Sequence, residues 1–179
     1  LQFRNAPSPD GVCKVVPLEG SAAAFSMFEQ SLSSITFSFL ALEAFCNYEI
    51  SRNWKQPVTV KGRKRRVETM SHTDAERTLS TEVKIREVMP KIFGVSTPAG
   101  KHIWERFLRL KKARDDSVHF KYADQYPVGP KAETEGLFFQ VLDNDPHVFP
   151  EIAKDVIEYF YQNQSRPQWL DKMPPIRKV

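Results

Sequence analysis

Two cysteines, seven glycines and the lack of any long apolar run set the first limits on this 179-residue chain. Cys13 and Cys46 are too few for a disulfide framework, and no Cys-x-x-Cys spacing occurs. Cys46 falls within an apolar stretch and reads as a small core residue. Such usage fits a reducing, cytoplasmic setting. The scarcity of glycine argues against a turn-rich all-β fold. The longest apolar stretch, Ile35 to Cys46, is interrupted by Glu43 and is far too short for a membrane span. No basic start followed by an apolar run marks a signal peptide, and Leu1 in place of Met leaves room for a preceding segment. Glycine-rich nucleotide loops and the Gly-x-Ser-x-Gly elbow are absent. His72, His102 and His147 are scattered without carboxylate-rich helical spacing, so no metal site is expected.

What is present suits one helical domain of ordinary size. Apolar residues reach 41 %, enough for a core, and charged residues reach 27 %, enough for a solvated surface. A net charge of +4 permits an anionic partner without demanding one.

Prolines and glycines in residues 1–20 predict an irregular N-terminal arm. From about Ser21, the apolar positions Phe28, Leu32, Ile35, Phe39, Leu42 and Cys46 alternate in steps of four and three, one stripe down a long helix. Phe25, Leu40 and Phe45 widen that stripe. Residues 53–70 read as a loop, with Pro57, Gly62 and the basic run Arg63, Lys64, Arg65 and Arg66. Ser71 and Thr73, each three residues before an acid, are candidate caps of a second helix. Leu79, Val83, Met89 and Ile92 give it an apolar face, Pro90 should kink it and Gly94 should end it. Thr97-Pro98 predicts the start of a third helix running to about Val118. A short helical piece is expected near Leu137–Leu142, and a last helix from Asp145-Pro146 or Pro150. The expectation is an all-α, up-and-down bundle of four main helices over residues 21–163, with an extended tail over 164–179.

The third helix carries Arg114 and His119. Arg offers a planar fork for a phosphate, and His can exchange a proton near neutral pH. Five residues apart on a helix, the two point about 140° from each other. A distorted helix end or a second subunit is needed to bring them to one phosphate. Asp115 is four residues before His119, shares its face and can orient the imidazole. In a chain with 12 Arg and 4 His, such a pair arises by chance in roughly a quarter of sequences. The basic run at 61–66 could track a nucleic-acid backbone or form a solvated loop.

Two segments resemble the HEPN (higher eukaryotes and prokaryotes nucleotide-binding) family. Phe39 to Asn47, with Leu42-Glu43-Ala44-Phe45 at its centre, is similar to the early-helix pattern of that family. Arg114 to His119 resembles its Arg-x4-His signature, with Asp115 where Asn is more usual. The resemblance spans roughly residues 25–122. It implies a helical bundle that dimerises and a metal-independent endoribonuclease with no cofactor. Arg114 would hold the scissile phosphate and His119 would act as general base or acid for attack by the ribose 2′-OH. Glu43 and Asn47 would flank the cleft and tune Arg114 and His119. A toxin or defence role with a protein inhibitor or antitoxin is also implied, as is the alternative of a non-catalytic module binding RNA or a protein partner.

Overall fold

The computed structural model describes residues 4–8, 11–15, 20–54, 57–61, 67–118, 141 and 145–173. The four-and-three apolar spacing produces α1 (Ser21–Asn53), a helix about 50 Å long at 1.5 Å per residue. Ile35, Leu42 and Cys46 are fully buried, and Phe39 and Phe45 nearly so. Phe25 and Leu40 do not join them: they are 64 % and 48 % exposed. Leu40 lies about 100° around the helix from Phe39, outside the arc that other helices cover.

The sequence predicts a continuous second helix, but it is broken. Ser71 caps α2 (His72–Thr78), accepting from the Asp74 amide at 3.1 Å and donating to its carboxylate at 2.7 Å. Leu79 and Ser80 then take extended backbone. Ser80 starts the chain again, its hydroxyl accepting from the Val83 amide at 3.3 Å. α3 (Thr81–Val83) leads into a π-helical turn, Lys84–Val88, and then α4 (Met89–Phe93). Pro90 has no N–H to offer the Arg86 carbonyl four residues earlier. The Thr97 hydroxyl donates to that carbonyl instead, at 2.9 Å. Gly94 ends α4 at φ +64°, as its position predicts.

The third long helix, α5 (His102–Val118), begins later than Thr97-Pro98 suggested. Gly100 adopts φ +79°, which no right-handed helix can contain, so a turn precedes the helix. Lys101 fixes that turn, its ammonium donating to Tyr159 at 2.7 Å and to Ser96 at 2.5 Å. α6 (Val148–Phe160) follows, with the Asp145 carbonyl accepting from the Val148 amide at 3.0 Å.

α1 packs on both α5 and α6, and α5 packs on α6. Between them lies one apolar cluster, centred on Phe107, Leu110, Phe149, Ile152 and Phe160. An aromatic group closes one end, with Phe93 5.0 Å from Tyr161 and 5.7 Å from Phe160. Arg106 pairs with Asp155 across α5 and α6. A 3-10 turn, Tyr161–Asn163, follows α6. The tail is not simply extended: α7 (Gln168–Asp171) places Leu170 in the core, 2 % exposed, where its burial offsets the breaking effect of the nearby prolines.

Two segments expected to be irregular form hairpins. In the arm, β1 (Arg4–Ser8) pairs antiparallel with β2 (Gly11–Val15). In the 53–70 segment, β3 (Val58–Lys61) pairs with β4 (Val67–Met70), with Thr59 opposite Thr69. The Val-Thr-Val alternation decides the outcome: Val58 and Val60 are buried and Thr59 is exposed. With Ile50, Ala75 and Val88, the two valines make a second, smaller cluster. The described residues are thus mostly helical, and the all-α expectation holds at that coarse level. Among them no helix is long and apolar enough to cross a membrane. The predicted piece near Leu137–Leu142 lies outside the described residues except Val141, which is helical and buried.

Candidate functional site

Arg114 sits in the final turns of α5, at the side where α5 meets α1. Its guanidinium carbon lies 5.0 Å from the centroid of the Phe39 ring, a cation–π arrangement that gives the head group an apolar floor. One amino group, Nη1, donates to the Asp115 carboxylate at 3.0 Å. The side chain stays 37 % exposed.

Asp115 also accepts from Lys111 Nζ at 2.8 Å. Partial burial works against its charge, but the Lys111 and Arg114 hydrogen bonds overcome this and hold the carboxyl below the usual carboxylate range. The hydrogen bond to Asp115 raises Lys111 above the ordinary lysine value. Lys111 also approaches Glu82 at 3.8 Å, and Glu82 lies 3.6 Å from Arg86. A line of alternating charge therefore runs from the end of α5 to the π turn.

Glu43 and Asn47, one helical turn apart on α1, lie on the side of the helix that meets Lys84. Lys84 is 1 % exposed, among the largest fully buried side chains of the described residues. Its ammonium donates to Asn47 Oδ1 at 2.7 Å and to the Glu76 carbonyl at 2.6 Å. Burial pushes Lys84 below the ordinary lysine value, against the pull of the nearby Cys46, Glu43 and Glu76. The same burial lifts the Cys46 thiol to about 12, so it remains a neutral core group.

Of the residues singled out from sequence, the fold brings Arg114 and Asp115 into contact. It also sets Arg114 over Phe39, one turn of α1 before Glu43 and two before Asn47. His119 and the basic residues Arg63, Lys64, Arg65 and Arg66 lie outside the described residues, as does any pairing of Asp115 with His119. Lys84 is a residue that sequence reasoning missed. Its signal is position: Thr81, Lys84, Ile85 and Val88 fall at the spacing of one buried helical face, where a lysine needs partners.

A separate groove of about 630 Å³ lies between α1 and α6, lined by Phe37, Ser38, Ala41, Pro150, Ala153 and Ile157 among others. None of the expected site residues lines it. Among the described residues no group of His, Cys, Asp and Glu is arranged to hold a metal ion. No protein-family model, curated protein or solved structure matches the chain.

Proposed function

We propose that this chain is a HEPN-type endoribonuclease: a helical bundle that works as a homodimer and cleaves RNA without a metal. The observation that carries this reading is the setting of Arg114. Its guanidinium rests on Phe39 and gives Nη1 to Asp115, which leaves further donors of the fork for an incoming phosphate oxygen. It stands five residues before His119 and beside the α1 stretch that carries Glu43 and Asn47.

In the proposed reaction His119 takes the proton of a ribose 2′-OH, whose oxygen attacks the adjacent phosphorus. The bond from phosphorus to the 5′ oxygen breaks and that oxygen takes up a proton. The products are a 2′,3′-cyclic phosphate and a free 5′-OH. Arg114 neutralises the charge that develops on the phosphoryl oxygens. Because Arg114 and His119 diverge on a regular helix, the partner subunit completes the site across the dimer cleft. The basic residues 63–66 attract the RNA backbone. A toxin or defence role restrained by a protein inhibitor accords with such an activity.

A second reading has its own support. Asp115, which takes hydrogen bonds from both Arg114 and Lys111, competes with phosphate for that arginine. This favours a non-catalytic module that binds RNA or a protein partner. Incubation with RNA in excess EDTA, beside a His119→Ala control, decides between them. Cleavage by the parent alone is expected. Intact RNA in both samples would overturn the catalytic reading.

A further inference from the structure

Lys84 is buried and charged, and among the described residues it is paired to one polar side chain, that of Asn47. An ammonium group has donors and no acceptor, so it can meet only the oxygen of the Asn47 amide. The geometry agrees, with Oδ1 2.7 Å from Nζ. The second bond of Lys84, to the Glu76 carbonyl at 2.6 Å, anchors the ammonium to the end of α2. Asn47 therefore cannot flip without placing its own amino group against a cation. Its Nδ2 makes no hydrogen bond among the described residues, and the side chain is only half-buried.

We propose that Lys84 is a positioning residue that locks Asn47 with its Nδ2 donor turned outward, to bind an RNA strand beside Arg114. This deepens the ribonuclease reading and rests on it. Asn47 lies eight residues beyond Phe39, about 12 Å along α1, and Arg114 sits over Phe39. That separation is too long for both residues to hold one phosphate. Asn47 instead grips an acceptor on a neighbouring nucleotide, a phosphate or ribose oxygen, and sets the strand's direction along α1. The π turn that opens at Lys84 is a feature frequent at functional sites, and here it keeps Lys84, Ile85, Val88 and Met89 all buried.

Asn47→Asp separates a positioning role from a structural one. A carboxylate at this position still accepts from Lys84 and pairs with its charge, but it turns an acceptor toward the RNA. Binding of a short single-stranded oligoribonucleotide is measured in EDTA, in a His119→Ala background so that the probe survives. Asn47→Asp should weaken binding by about tenfold or more, with melting temperature held or raised. Lys84→Met should weaken binding when Asn47 is intact and have no further effect in an Asn47→Ala protein. Should Asn47→Asp fail to fold, the comparison of Lys84→Met with and without Asn47→Ala decides alone. Parental binding by a folded Asn47→Asp protein, or a Lys84→Met loss that persists alongside Asn47→Ala, would overturn the proposal while leaving the ribonuclease reading intact. If the background protein binds no RNA and the parent cleaves none, both fall together.

Discussion

Removing one hydroxyl from Tyr161 tests how the aromatic end of the bundle is tied to α1. The phenol donates to Glu49 Oε1 at 3.1 Å, while Asn53 Nδ2 holds Oε2 at 2.5 Å. Glu49 is only 6 % exposed, so its carboxylate depends on those partners. Tyr161→Phe keeps the ring against Phe45 and Phe93 and removes only the donor. A hydrogen bond to a charged group contributes about 1.5–3 kcal/mol, and the partial burial of Tyr161 puts this one near the lower end. For a chain of this size each kcal/mol moves the melting temperature by about 2–4 °C, so a loss of about 3–6 °C is expected by differential scanning calorimetry. The same substitution in a Glu49→Leu background should have almost no effect, a coupling of about 1–1.5 kcal/mol. Burial, together with the Glu49 charge, also pushes the Tyr161 hydroxyl well above the ordinary tyrosine value. Absorbance at alkaline pH should therefore show one tyrosine that ionises only on unfolding. A Tyr161→Phe protein that melts with the parent, or a loss that persists undiminished in the Glu49→Leu background, would refute the reasoning.

Two further outcomes concern titrating groups that the fold shifts from their ordinary values. In a Cys13→Ser protein, Cys46 should resist alkylation under native conditions, because its thiol lies near 12, and should react only as fast as the fold opens; rapid native labelling would contradict the burial. Lys84 and Lys111 should shape alkaline stability with opposite signs. The folded pKa of Lys84 lies below its unfolded value, so between the two the unfolded chain binds more protons and stability rises with pH. That of Lys111 lies above, so its contribution is full below the ordinary lysine value and fades as pH climbs through the higher folded one. Urea midpoints measured across the alkaline range should lose the rise in Lys84→Met and the fall in Lys111→Met; profiles parallel to the parent would show that neither shift exists.

Regular periodicity is easily read from the sequence, and local competition is not. α1 follows from its own apolar spacing, and Gly94 and Ser71 end and start helices where their chemistry says they should. The break at Leu79-Ser80 is hidden in sequence, because the pattern continues through it and only the second serine cap marks the restart. The β3–β4 hairpin is masked by Pro57 and Gly62, whose breaking tendency outweighs a four-residue alternation on paper but not in the fold. At the site, Arg114 and Asp115 are legible as chemistry. Their setting on Phe39 and against Lys111 needs tertiary contacts that no spacing encodes. Lys84 is the reverse case, visible as an anomaly on an apolar face, with meaning only once Asn47 is opposite.

The two apolar clusters meet on one rod. The larger takes most of its α1 residues from Ile35 to Cys46, the smaller takes Ile50, and Ile92 packs against both. Amide exchange should divide the molecule accordingly. Amides in the middle of α1 are released only when the whole bundle opens, because α5 and α6 both lean on them. The β3–β4 hairpin, with two buried valines and Lys91 donating to the Thr59 carbonyl at 2.8 Å, can detach in a smaller opening that leaves the bundle standing. A ligand that grips β3 or β4 would therefore slow exchange in the hairpin alone, and the middle of α1 would keep the rate set by the bundle.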